Sequence, residues 1–120
     1  MPKQEMEFFN ADRIPWEPIA AVPGLYEKIL SRDPDTGDYT RMLRFDPGTD
    51  TSQMGVQRHE FWEEVLILSG GIKDLCLNET FSQGMYACRP PGMPHGPWVS
   101  LEGCVTFEIR YYKSCKRSNK

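Results

Sequence analysis

His59 and His95 are the only imidazoles in a chain of 120 residues. His59 lies two positions after Gln57 and just before the adjacent carboxylates Glu63 and Glu64. His95 closes the stretch Gly84-Met-Tyr-Ala-Cys-Arg-Pro-Pro-Gly-Met-Pro-His. Two imidazoles with a carboxylate suit a divalent first-row metal and leave coordination positions open for water or substrate. Side chains alternate along a strand, so Gln57 and His59 are expected on one face of a strand over residues 56–61. The same alternation sends one of Glu63 and Glu64 inward and the other outward. All of this chemistry requires that two distant segments meet.

The elements that would bring them together are short strands and stiff turns. Proline fixes φ and glycine supplies backbone angles that other residues avoid, so Pro90-Pro91-Gly92 is a rigid corner that a strand over residues 84–89 enters. Upstream, residues 25–30 and 39–45 read as a hairpin around Asp33-Pro34-Asp35-Thr36-Gly37. Residues 49–53 are polar and read as a connection. The apolar run over residues 64–68 implies a strand buried on both faces, with Gly70 and Gly71 as a tight turn into a strand over residues 72–77. In the last strand, residues 104–112, Val105, Phe107 and Ile109 alternate with Thr106, Glu108 and Arg110. No amphipathic helix of ordinary length is present, so the fold class is all-β and antiparallel, a sandwich or barrel. Residues 1–23, with Pro15, Pro18 and Pro23, form an extended arm ahead of a single domain over residues 24–112. Phe8, Phe9, Ile14 and Trp16 on that arm are costly to leave in water.

The net charge is −3, although the tail over residues 113–120 carries four basic side chains and no acidic one. An acidic body argues against a duplex nucleic-acid surface. No stretch is apolar for the length of a membrane span, and the first residues lack a signal-peptide pattern. Cys76, Cys88, Cys104 and Cys115 show no CxxC pairing, so they are expected as reduced thiols of a cytoplasmic protein, with Cys88 small and buried. No phosphate-binding loop, dinucleotide glycine fingerprint or Gly-x-Ser-x-Gly elbow is present.

Residues 84–95 match, without a gap, the second signature motif of the cupins: glycine, five residues, proline, one residue, glycine, two residues, histidine. The motif's final asparagine position holds Val99. Gln57, His59, Glu63 and Gly70 follow the spacing of the first motif, with Gln57 in place of a histidine and Thr51 at its leading glycine. Over residues 40–110 the chain therefore resembles a single-domain cupin, most of all those related to acetylacetone and dihydroxyacetophenone dioxygenases. The resemblance implies a jelly-roll barrel and a metal held by His59, Glu63 and His95, with Gln57 as a weak or absent fourth ligand and otherwise a polar group lining the pocket. Glu63, rather than Glu64, becomes the inward carboxylate. Fe(II) is the favoured metal, with Mn, Ni, Co or Zn also suited to the donors. The implied activity is C–C cleavage of a small dicarbonyl or aromatic-ketone substrate by O2, with Glu63 and Gln57 as catalytic groups. Those dioxygenases use three histidines, and this chain has two. A lyase or isomerase without O2, with Glu63 or Glu64 moving a proton, and a non-catalytic regulatory cupin are the other readings. Met93, Trp98 and Arg89 are candidates for the substrate pocket, and Arg89 and Arg110 could hold a substrate carboxylate. A homodimer is expected, built through the arm or an edge strand.

Overall fold

The computed structural model of the protein describes residues 3–112. Nine strands are present among the described residues: β1 (Glu17–Pro18), β2 (Leu25–Arg32), β3 (Tyr39–Phe45), β4 (Thr49–Asp50), β5 (Trp62–Asp74), β6 (Glu79–Ser82), β7 (Tyr86–Arg89), β8 (Trp98–Ser100) and β9 (Cys104–Tyr111). Every strand pairing is antiparallel, in the order β1-β2-β3-β9-β5-β8-β4, with β6 and β7 also on β5. This is the expected all-β jelly roll, curled around one core of Val22, Leu25, Leu43, Phe45, Ile67, Ile72, Trp98 and Cys104.

The strand that closes the barrel is β5. Its first half pairs with β7 and β9, and its second half with β6 and β8, so one strand belongs to both walls. Gly70 and Gly71 are therefore not a hairpin turn; they are the bend at which β5 crosses from wall to wall. Gly70 has φ +71°, and a Cβ there would lie 1.9 Å from the Gly103 carbonyl oxygen. Only glycine lets the two backbones approach so closely.

Three other expectations change. The apolar run in β5 is not buried on both faces: Val65 and Ile67 point into the barrel, while Leu66 and Leu68 are 38% and 39% exposed. The segment over residues 56–61 is not a strand but an irregular stretch carrying one bridge, Gln57 to His95. The polar residues after Phe45 include β4, whose Thr49 is buried, followed by buried Thr51. Thr51 accepts a hydrogen bond from the Trp98 N–H through Oγ1 and donates its own N–H to the Trp98 carbonyl.

The arm lies along the outer face of β2 and β3. Trp16 sits under Lys28 Nζ (4.5 Å to the ring centroid) and the Arg44 guanidinium (5.1 Å), and Lys28 donates to the Ala11 carbonyl. One 3-10 turn, Ala11–Arg13, interrupts it. Trp16 and Ile14 are partly covered; Phe8 is 100% and Phe9 48% exposed. Cys76, Cys88 and Cys104 are free thiols, and Cys88 is exposed on the outer face and not buried. Cys115 and the basic tail lie outside the described residues.

Candidate metal centre

The two histidine segments meet through their backbones. Gln57 N donates to the His95 carbonyl at 2.7 Å, His95 N returns the bond to Gln57 at 3.0 Å, and Gly92 N donates to the His59 carbonyl at 2.8 Å. Gly92, at φ +84°, turns the chain out of Pro90-Pro91 so that this exchange can form. Asp74 holds the loop from the other side. Buried at the end of β5, it accepts from Cys76 N, Leu77 N and Gly96 N, so one carboxylate ties the β5–β6 turn to the residue after His95. The sequence reading missed Asp74, whose only signal was an acid at the end of an apolar strand.

At the centre, His59, Glu63 and His95 each offer a donor atom, and all three lie within 4.8 Å of one another. The two imidazoles are 4.9 Å apart between centroids, and His59 also stacks on Phe61 at 4.5 Å. His59 Nε2, His95 Nδ1 and His95 Nε2 are buried without a hydrogen-bond partner. Buried polar atoms are almost always satisfied, so orphaned imidazole nitrogens beside a carboxylate fit a bound cation. The donor set fits a divalent ion.

The electrostatics keep both imidazoles ready to bind. Burial, reinforced by the Arg89 charge, pushes His95 down to about 4, and burial with the Arg110 charge lowers His59. Both are neutral at pH 7, the form that ligates. For Glu63 burial pulls upward, but Arg110, His95 and Arg89 outweigh it and hold the carboxyl below its ordinary range.

Strand register makes Glu63 the hub of a charge network that composition did not reveal. It pairs with Arg89 on β7 and with Arg110 on β9, so the three side chains form one row across the inner wall. Arg89 NH1 reaches Oε1 at 3.0 Å, while Arg110 reaches Oε2 through Nε at 2.8 Å and NH2 at 2.6 Å. Beside that row, Arg41 on β3 faces Glu108 on β9 at 2.8 Å and reaches Glu27 at 2.7 Å. In β9 the polar set Thr106, Glu108 and Arg110 thus lines the cavity, and Val105, Phe107 and Ile109 take the outer face. That is the reverse of the ordinary assignment, in which apolar side chains point inward.

The remaining candidates divide. Gln57 lines the cavity, but its amide nitrogen donates to the Met54 carbonyl at 3.0 Å. Glu64 projects from the other face of β5 and accepts from Tyr86 and Tyr111, so it takes no part in the cavity. Trp98 and Arg89 line the cavity on both sides of His95, and Met93 lines its outer part only. Arg110 is committed to Glu63 and to the Tyr39 hydroxyl.

Comparisons with known proteins agree on the architecture. A family model described as ChrR Cupin-like domain matches residues 4–111. A search of curated protein sequences finds no match. Among solved structures, an RmlC-like cupin from Shewanella frigidimarina superposes with TM-score 0.72 at 18% identity, covering 98% of this chain and 99% of that one. An acetylacetone dioxygenase from Acinetobacter johnsonii gives TM-score 0.71 at 15% identity, covering 90% and 74%. The anti-sigma ChrR in complex with SigE of Rhodobacter sphaeroides gives 0.60 at 19% identity, covering 81% of this chain and 48% of that one.

Proposed function

The chain belongs to the family of ChrR cupin-like domains, and from that membership we propose that it is a mononuclear metal-dependent cupin enzyme. His59, Glu63 and His95 would hold the metal, with Gln57 on the wall of the same cavity. The observation that carries the reading is the set of orphaned nitrogens on His59 and His95, turned toward a carboxylate. The activity we assign is cleavage of a C–C bond in a small dicarbonyl or aromatic-ketone substrate by O2, with Fe(II) as the favoured metal. Structural likeness to an acetylacetone dioxygenase supports that assignment at the level of fold.

A divalent metal, when bound, supplies Lewis-acid polarisation of a carbonyl oxygen. The chain supplies the rest. Neutral His59 and His95 present lone pairs without first losing a proton. Glu63, kept ionised by Arg89 and Arg110, adds a negative ligand. The Gln57 side-chain oxygen is available to hydrogen-bond a substrate or water. Val65, Ile72 and Trp98 give the cavity apolar walls beside the candidate ligands.

A non-catalytic regulatory role is the second reading. It is favoured by the family's ChrR description and by two guanidinium groups already holding Glu63. Glu64 on the outer wall removes one of the proton carriers that a lyase or isomerase would use, leaving Glu63. We also read the protein as a cytoplasmic homodimer, with exposed Phe8 and Phe9 covered by a second copy. Light scattering that finds only monomer at micromolar concentration would overturn the dimer.

Elemental analysis tests the metal reading. Protein prepared without chelators and offered Fe, Mn, Ni or Zn should hold about one ion per chain, and His95→Ala and Glu63→Ala should hold none. Oxygen uptake during turnover then separates a dioxygenase from an enzyme that works without O2.

A further inference from the structure

The barrel interior has two lobes that meet at His95. The inner lobe, about 190 Å³, carries Gln57, His59, Glu63, Arg41, Glu108 and Arg110 among its walls. The outer lobe, about 230 Å³, is bounded by Leu77, Phe81, Met85, Met93 and Pro94. Arg89, His95 and Trp98 belong to both. A cavity of about 150 Å³ suffices for benzene, so the outer lobe has room for a phenyl ring and a short chain. Its rim is apolar: Leu77 is 62% exposed, and Met85 and Met93 are each 44% exposed. Flexible methionines let such a mouth adapt to its occupant.

Arg89 stands at the junction and is the least committed cation of the interior. Arg110 is bonded to Glu63 through Nε and to Tyr39 through NH1, and Arg41 to Glu108 and Glu27. Among the described residues Arg89 makes one side-chain hydrogen bond, to Glu63, and otherwise lies against the Trp98 ring at 5.2 Å. A guanidinium has five N–H donors in a planar fork that matches a carboxylate. The charges set the sign of the missing partner. Three guanidinium groups face four carboxylates, Glu27, Glu63, Glu108 and the buried Asp74 of the outer lobe, so a divalent ion on neutral His59 and His95 leaves the interior with one positive charge in surplus. Uncompensated charge inside low-dielectric walls is strongly unfavourable.

We infer that the metal-loaded pocket takes an amphipathic carboxylate, its carboxylate on Arg89 beside the metal ligands and its apolar body in the lobe between Phe81, Met85 and Met93. The inference rests on the metal reading above and adds the class of ligand.

Calorimetric titration of the zinc-loaded full chain tests it, using 3-phenylpropionate, its neutral amide, and acetate. Zinc is used because it adds no redox chemistry. Metal content is measured first: a chain that holds none of Fe, Mn, Ni and Zn stoichiometrically overturns the metal reading and this one together, and a chain that holds another of them in place of zinc is titrated loaded with that ion. With zinc bound, 3-phenylpropionate should bind at least tenfold more tightly than the amide, which lacks the charge, and than acetate, which lacks the body. At matched zinc occupancy, Arg89→Gln should lower its affinity about tenfold, and Arg89→Lys should recover part of the loss. Equal affinity for acid and amide, equal affinity for 3-phenylpropionate and acetate, or no response to Arg89→Gln each overturns the ligand class and leaves the metal reading standing.

Discussion

Glu63 and Glu64 are neighbours on one strand with the same carboxylate, and they end in opposite surroundings. Glu63 is 3% exposed and gripped by two guanidinium groups in the cavity. Glu64 stands on the outer wall, where the hydroxyls of Tyr86 and Tyr111 donate to it at 2.6 and 2.7 Å. Both carboxyls are held below their ordinary range, for different reasons. Burial works against ionised Glu63, and three neighbouring groups overcome it. Glu64 is lowered by hydrogen bonds from Tyr86 and Tyr111, and the hydrogen bond to Glu64 raises the Tyr111 phenol to about 12. A low value alone does not mark a functional carboxylate. The mark is the environment that the shift has to overcome.

The largest expected effect is on the inner side of this pair. Glu63→Ala leaves the partly buried Arg89 and Arg110 without their anion, which should cost about 3–5 kcal/mol in chemical denaturation of metal-free protein. A loss under about 1 kcal/mol would show that water already screens the row. His59→Phe sharpens the contrast, because it keeps a ring against Phe61 and deletes an orphaned nitrogen. Metal-free stability should change by less than about 1 kcal/mol, since an unsatisfied buried group contributes nothing favourable. Stoichiometric metal should disappear from that variant, as elemental analysis would register.

Acid should act through the inner side too. His95 moves from an ordinary 6.5 to about 4 in the fold, so between those values the unfolded chain binds more protons. Its contribution is fully present above about pH 6.5 and is lost progressively as the pH falls toward 4. Denaturation midpoints of metal-free protein across that range should decline, and His95→Gln should flatten the decline. The smallest effect belongs to the outer carboxylate: Glu64→Gln should cost about 0.5 kcal/mol or less and leave metal content at the wild-type level. A variant of Glu64 that lost its metal would erase the distinction between the two faces.

Much of the architecture is legible in the sequence. The β2–β3 hairpin, the strand entering Pro90-Pro91-Gly92, and the last strand were marked by turn residues and period-two alternation, both local signals. The bend at Gly70 was misread because a Gly-Gly pair marks equally well a hairpin and a strand that another backbone must approach closely. The carbonyl that demands glycine there belongs to Gly103, far along the chain. Residues 56–61 were misread as a strand because alternation cannot report whether a partner strand exists; here the partner is a single bridge to His95.

The sequence alone determined the residues from which a metal centre could be drawn, since two histidines and the spacing around them leave few combinations. It also determined that one of two adjacent glutamates must face inward, because a strand's period is two. Only the tertiary structure decided what that inward carboxylate touches. Register across three strands placed Arg89 and Arg110 on either side of Glu63, and a second pairing set Arg41 against Glu108. Register is a relation between segments distant in the chain, fixed by how the whole barrel closes, and no local pattern carries it.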